Sequence, residues 1–152
     1  MIIKEELLKL NDFINDIYGK KIRLSDILKQ YPFSPEEINF LKSELIETIL
    51  NNIDFALQCK FVSSSNKIRL YKIICRRYGL FGREKSTLRE IAIDMQISHE
   101  RVRQLEEKAI RYLKPNKRGD FLSMAIIISA CKALNIDASE KLAIEDMEDR
   151  KR

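Results

Sequence analysis

The sequence predicts an all-α protein, and three observations carry that prediction. Lys, Glu, Ile and Leu are abundant in a chain of 152 residues that holds only four Gly and three Pro, a bias toward helix and away from turn-rich β folds. Apolar residues recur at steps of three and four, with no strand-like alternation. Helix-capping and helix-breaking residues punctuate those runs. At 45% hydrophobic and 34% charged residues, the chain can bury a core beneath a well-solvated surface, as one compact domain or two small ones.

The elements follow in order. Ile3, Leu7, Leu10, Ile14 and Ile17 mark one face of a helix over residues 2–18, closed by Gly19. A basic turn, Lys20 to Arg23, leads to a short helix through Tyr31 for which Ser25 is the expected cap. After Pro32 and Phe33, Ser34 is placed as an N-cap, Pro35 at the first helical position and Glu37 as the reciprocal partner. One helix is expected from Glu36 to about Cys59, with Ile38, Leu41, Leu45, Ile49 and Ile53 on its stripe. Ser63 to Asn66 reads as a linker. A helix over about 66–78 then ends at Gly79, and Leu80 to Lys85 is a polar loop. Thr87 and Glu90 form a second capping box, with Leu88, Ile91, Ala92 and Met95 facing inward. Gln96, Ile97 and Ser98 make a tight turn. Ser98 caps a helix whose inner positions are Val102, Leu105, Ala109 and Leu113, and Pro115 ends it. Phe121–Leu134 is apolar nearly all round, which reads as a buried helix between the two halves or, alternatively, as a homodimer interface. The expected organisation is an N-terminal helical module at 1–62, a helix-turn-helix domain at 66–118 and a helical extension at 119–152.

Composition excludes several classes. Cys59, Cys75 and Cys131 are isolated, and with a single histidine no zinc-ligand spacing exists, so they read as reduced core thiols. No signal-peptide run opens the sequence, and the fourteen residues Phe121–Leu134 are too few to span a bilayer, so a cytoplasmic protein without membrane contact is expected. No catalytic triad, paired-carboxylate set, Gly-rich phosphate loop or metal cluster is visible, so neither an enzyme nor a cofactor is expected.

Charge placement says more. The net charge is +5, yet Arg76 to Arg118 alone carries +6, against +1 for residues 1–75, zero for 119–136 and −2 for 137–152. A basic stretch of this kind points to a polyanionic partner. Helix, short turn, capped helix is the layout of a helix-turn-helix. On the second helix His99, Glu100, Arg103 and Gln104 share one side, opposite Val102, Leu105 and Ala109. Arg and Gln bond purine edges and Glu accepts from a cytosine amine, in a major groove about 12 Å wide that admits a helix. Arg89, Arg101, Lys108, Arg111, Lys114, Lys117 and Arg118 surround that face as candidates for DNA phosphates.

The run RRYGLFGREKSTLREIAIDMQISHERVRQLEEKAIRYLKPNKR, residues 76–118, closely resembles region four, the C-terminal DNA-binding domain, of bacterial sigma factors of the sigma-seventy family. The shared features are the basic-aromatic-Gly-Leu entry, Thr-Leu-x-Glu-Ile, and the nearly verbatim stretch around Glu100 to Ala109. The resemblance implies that the domain holds a promoter's −35 element and contacts the flap of the RNA polymerase β subunit. Carried over by position, Glu100, Arg103 and Gln104 face the bases, while Arg77, Thr87, Leu88 and Arg101 serve the backbone or support the reading helix. The family usually has Arg where this chain has His99, which removes an arginine fork on guanine. No counterpart of region two, the module that melts the −10 element, is visible in residues 1–65, and the chain holds no tryptophan, so a complete sigma factor is not expected. Three readings follow: a sequence-specific transcription factor acting with RNA polymerase, a region-four mimic serving as anti-sigma or co-activator without reading DNA, and a DNA-binding module of a mobile element or phage. Intact Glu100, Arg103 and Gln104 favour the first.

Overall fold

The computed structural model describes residues 2–62 and 65–142, the side chains of residues 2, 3, 65 and 66 excepted. Its named helices are α1 (Ile2–Tyr18), α2 (Leu24–Lys29), α3 (Pro35–Ser43), α4 (Ile46–Phe61), α5 (Ser65–Tyr78), α6 (Leu88–Met95), α7 (His99–Leu113) and α8 (Phe121–Leu134). Residues 138–142 are again helical. Among the described residues there is no strand, only an isolated bridge between Asn116 and Gly119. The fold is all-α, as the sequence predicts.

Capping explains most of the boundaries. Ser34 Oγ accepts from the Glu37 amide at 3.1 Å while the Glu37 carboxylate accepts from the Ser34 amide at 2.8 Å, each satisfying an orphan donor at the start of α3. Gly79 ends α5 at φ +64°, and a Cβ there would lie 2.9 Å from the Lys85 amide nitrogen. The position requires glycine both for its left-handed backbone and for the close return of the following loop.

Four expectations are corrected. Ser25 does not cap α2. Asn15 and Asn11 of α1 accept from the Ile22 and Leu24 amides at 2.8 and 2.9 Å, which fixes the chain so that Arg23 takes the cap and Asp26 accepts from its amide. The helix expected from Glu36 to Cys59 is two helices. Buried positions run Ile38, Leu41, then Ile46, Ile49 and Ile53, so one step is five residues where a continuous stripe takes three or four. The chain absorbs the extra residue with a widened turn, Leu45 N–H donating to Phe40 C=O, and restarts at Ile46. Cys59 is exposed, whereas Cys75 and Cys131 are buried as expected. Of the linker expected at 63–66, residues 63 and 64 lie outside the described residues, and α5 already begins at Ser65.

The fourth correction concerns α8. Its side chains are covered within the chain, but by α4, α2 and α3 instead of by a position between the halves. Helix α4 is the joint, packing on both α8 and α5. Leu122, Ala125, Ile126, Ile127, Ala130 and Cys131 are buried, and Met124 and Ile128 remain at the exposed edge. Buried apolar residues from Leu10 to Cys131 form one cluster. No described helix is long and apolar enough to cross a membrane.

Candidate nucleic-acid interface

Helices α5, α6 and α7 build the candidate site, and local chemistry sets each of them. At the start of α6 the Thr87 hydroxyl accepts from the Glu90 amide at 3.1 Å and the Glu90 carboxylate returns to the Thr87 amide at 3.3 Å. Gln96 takes the left-handed conformation, φ 58° and ψ 42°, reversing the chain within three residues. Ser98 then caps α7, its hydroxyl accepting from the Arg101 amide at 3.0 Å. Lys114 is extended at ψ 148°, the conformation a following proline favours, and the helix ends before Pro115.

Two adjacent arginines of α5 hold the pair of helices. Arg76 reaches Asp94 of α6 at 2.5 Å, and Arg77 Nε reaches Glu106 of α7 at 3.1 Å while a second nitrogen donates to the Ser86 carbonyl at 3.3 Å. Arg77 therefore supports α7 from beneath. Arg76, for which the spacing alone predicts no contact, is its partner in that task. Val102, Leu105, Ala109 and Leu113 are buried, as are Ile91 and Ala92 of α6, with Leu88 and Met95 packed against them.

The opposite side of α7 is polar and open. His99, Glu100 and Gln104 are exposed, and Arg103 is half-exposed beside them. In the free protein Arg103 is not idle: its guanidinium spans two carboxylates, Glu100 and Glu107, each at 2.5 Å. The bond to Arg103 holds the Glu100 carboxyl below the usual range, and the two carboxylates together raise Arg103 further above it. Arg101 and Lys108 are exposed on α7, Arg89 and Thr87 at the start of α6, and Arg111, Lys114, Lys117 and Arg118 toward the far end of α7 and just beyond it. Thr87 and Leu88 act within the fold, the first as a cap and the second in packing. Among the described residues no group of three His, Cys, Asp or Glu side chains is placed to hold a metal ion.

Buried inner faces, a three-residue turn and an exposed polar stripe at the start of the second helix define a helix-turn-helix protein. Residues 69–114 match the family model of sigma-70, region 4. The match spans 46 of the 152 residues and supports a sigma-70 region 4 segment there, a type of helical DNA-binding domain related to transcription. No solved structure matches the chain.

Proposed function

We propose that this protein is a sequence-specific DNA-binding transcription factor that lays α7 in the major groove and acts with RNA polymerase at promoters, in the cytoplasm. One observation supports the reading above the rest. In a region 4 segment, α7 buries one face completely and keeps Glu100, Arg103, Gln104 and His99 on the other, where purine edges and cytosine amines would meet them. Arg89, Arg101, Lys108 and Lys117 flank that face and meet phosphates, which sets register without reading sequence. Helices α1 to α4, with α8, form the scaffold that carries the reading unit.

The pairing of Arg103 with Glu100 and Glu107 supports a second reading, a region-four mimic that engages polymerase or a sigma factor and leaves DNA alone, because it closes the guanidinium off in the free protein. Selection from a random duplex library separates the two, with core RNA polymerase offered as bait in parallel. The transcription-factor reading expects an enriched duplex motif, bound with a slope of log affinity on log salt of roughly −4 to −5, as for about four to six neutralised phosphates. Capture of polymerase with no enriched duplex establishes the mimic instead.

A further inference from the structure

A recess of about 590 Å³ opens at the far end of α7. Five of its lining residues are cationic: Lys60 from α4, Lys67 from α5, Arg111 and Lys114 at the end of α7, and Arg118 from the following turn. The lone carboxylate among them belongs to Asp120, and one of its oxygens already accepts from the Tyr18 hydroxyl at 2.6 Å and the Ser123 amide at 3.2 Å. None of Lys60, Arg111, Lys114 or Arg118 pairs with a carboxylate among the described residues.

The lysines are held in place, and aromatic rings hold them. Lys60 Nζ stands 4.9 Å from the centre of the Tyr112 ring and 5.0 Å from that of Phe121. Lys67 Nζ stands 4.4 Å from the same Tyr112 ring and donates to its hydroxyl at 3.0 Å. That hydroxyl in turn donates to the Lys60 carbonyl at 3.1 Å. A cation over a ring face is attracted by the ring quadrupole, so both ammoniums are fixed around one tyrosine. Like charges gathered in a recess repel one another. An anion with several oxygens removes that repulsion and finds its donors already in position, which lowers the entropy cost of capture.

The geometry points to a binding site for a small polyphosphorylated anion, separate from the DNA-reading stripe. Size supports this, since the recess falls in the range that encloses a drug-sized ligand and is larger than a single phosphate needs. Position supports it too. Lys114 lies ten residues beyond Gln104, or about 15 Å along the helix axis, and the Lys60 and Lys67 ammoniums are drawn back onto ring faces. A duplex backbone is met by side chains that project from the surface. Arg111, Lys114 and Arg118 line the exposed rim of this recess, and the site draws on Lys60 and Arg118, which lie outside the residues matched to region 4.

Calorimetric titration of the whole protein with sodium tripolyphosphate at physiological salt, without DNA, tests the site. Saturable one-to-one binding is expected, with at least a ten-fold loss in the Lys60→Ala/Arg118→Ala double variant and in the Lys114→Ala/Arg118→Ala variant, whose replaced side chains are exposed and whose fold is checked by thermal melting. Binding of a selected or random DNA duplex should change less than about three-fold in Lys60→Ala alone, a residue outside the DNA-phosphate candidates. Absence of saturation, or unchanged tripolyphosphate affinity in folded variants, overturns the proposal. A ten-fold loss of duplex affinity in Lys60→Ala overturns it as well, by assigning the recess to the DNA backbone. Since no DNA enters the titration, its failure leaves the DNA-reading proposal untouched.

Discussion

The Tyr78 hydroxyl, in the last turn of α5, donates to the Asp16 carboxylate of α1 at 2.5 Å across a sequence separation of 62 residues. The Tyr78 ring packs edge-on against Phe13, their centres 5.3 Å apart, and burial with the Asp16 bond drives its hydroxyl pKa upward. Nearby, Glu6 accepts from the Gly82 amide at 3.1 Å and Lys9 donates to the Arg83 carbonyl at 3.1 Å. Helix α1 therefore grips the entry to the helix-turn-helix, outside the part of the chain that matches region 4.

The two ends of that bond are unequal, which gives the first prediction. Tyr78 is buried and Asp16 is exposed. Tyr78→Phe returns Asp16 to water and should cost about 0.5–1.5 kcal/mol, whereas Asp16→Ala strands a buried hydroxyl and should cost about 1–3 kcal/mol. Urea unfolding of both variants measures the difference. A larger loss for Tyr78→Phe would contradict this account of the contact.

Acid should weaken the fold partly through the α3 cap. The amide of Ser34, and secondarily Lys141, hold the Glu37 carboxyl below the ordinary glutamate range. A folded pKa below the unfolded one adds stability that is fully present above the unfolded value and is lost as pH falls through the folded one. Glu37→Gln should therefore lose stability at neutral pH and show a shallower decline into acid than the wild type. Denaturant titrations across that window measure it, and parallel curves for the two proteins would count against the cap.

For α8 the prediction is one of cooperativity. Ile127 is fully buried in the cluster that also includes Ile53 and Ile73. Ile127→Asp places an unpaired charge there, with a cost of about 3–5 kcal/mol, and should abolish or sharply lower the single melting transition of the whole protein. A dimeric parent yielding a stable, folded monomeric variant would show instead that the helix serves an interface between copies.

What the sequence made legible was whatever depends on neighbours in the chain. Both capping boxes, the turn at Gln96 to Ser98, the inner face of α7 and its end before Pro115 are local, and each is readable from spacing alone. The break between α3 and α4 was equally local but was masked, because Leu45 and Ile46 are both apolar and the extra residue hides in a pattern that still looks continuous. Ser25 misled because the asparagines that set the start of α2 lie on α1. The polar stripe on α7 was legible as a helix face, but the salt bridges that occupy Arg103 were not assigned, although Glu100 and Glu107 stand at the (i, i+3) and (i, i+4) spacings that allow them. Lys60 and Lys67 carry no local signal, because only tertiary folding brings α4 and α5 beside Tyr112.

The central claim is that α7 reads bases. Equilibrium binding of the wild type and of Gln104→Ala, each on the selected duplex and on random duplex at one salt concentration, tests it most directly. The account predicts a loss of about 1–3 kcal/mol on the selected site and little change on random DNA, because one base contact is removed and the phosphate contacts remain. Equal losses on both duplexes, or no loss on either, would contradict it.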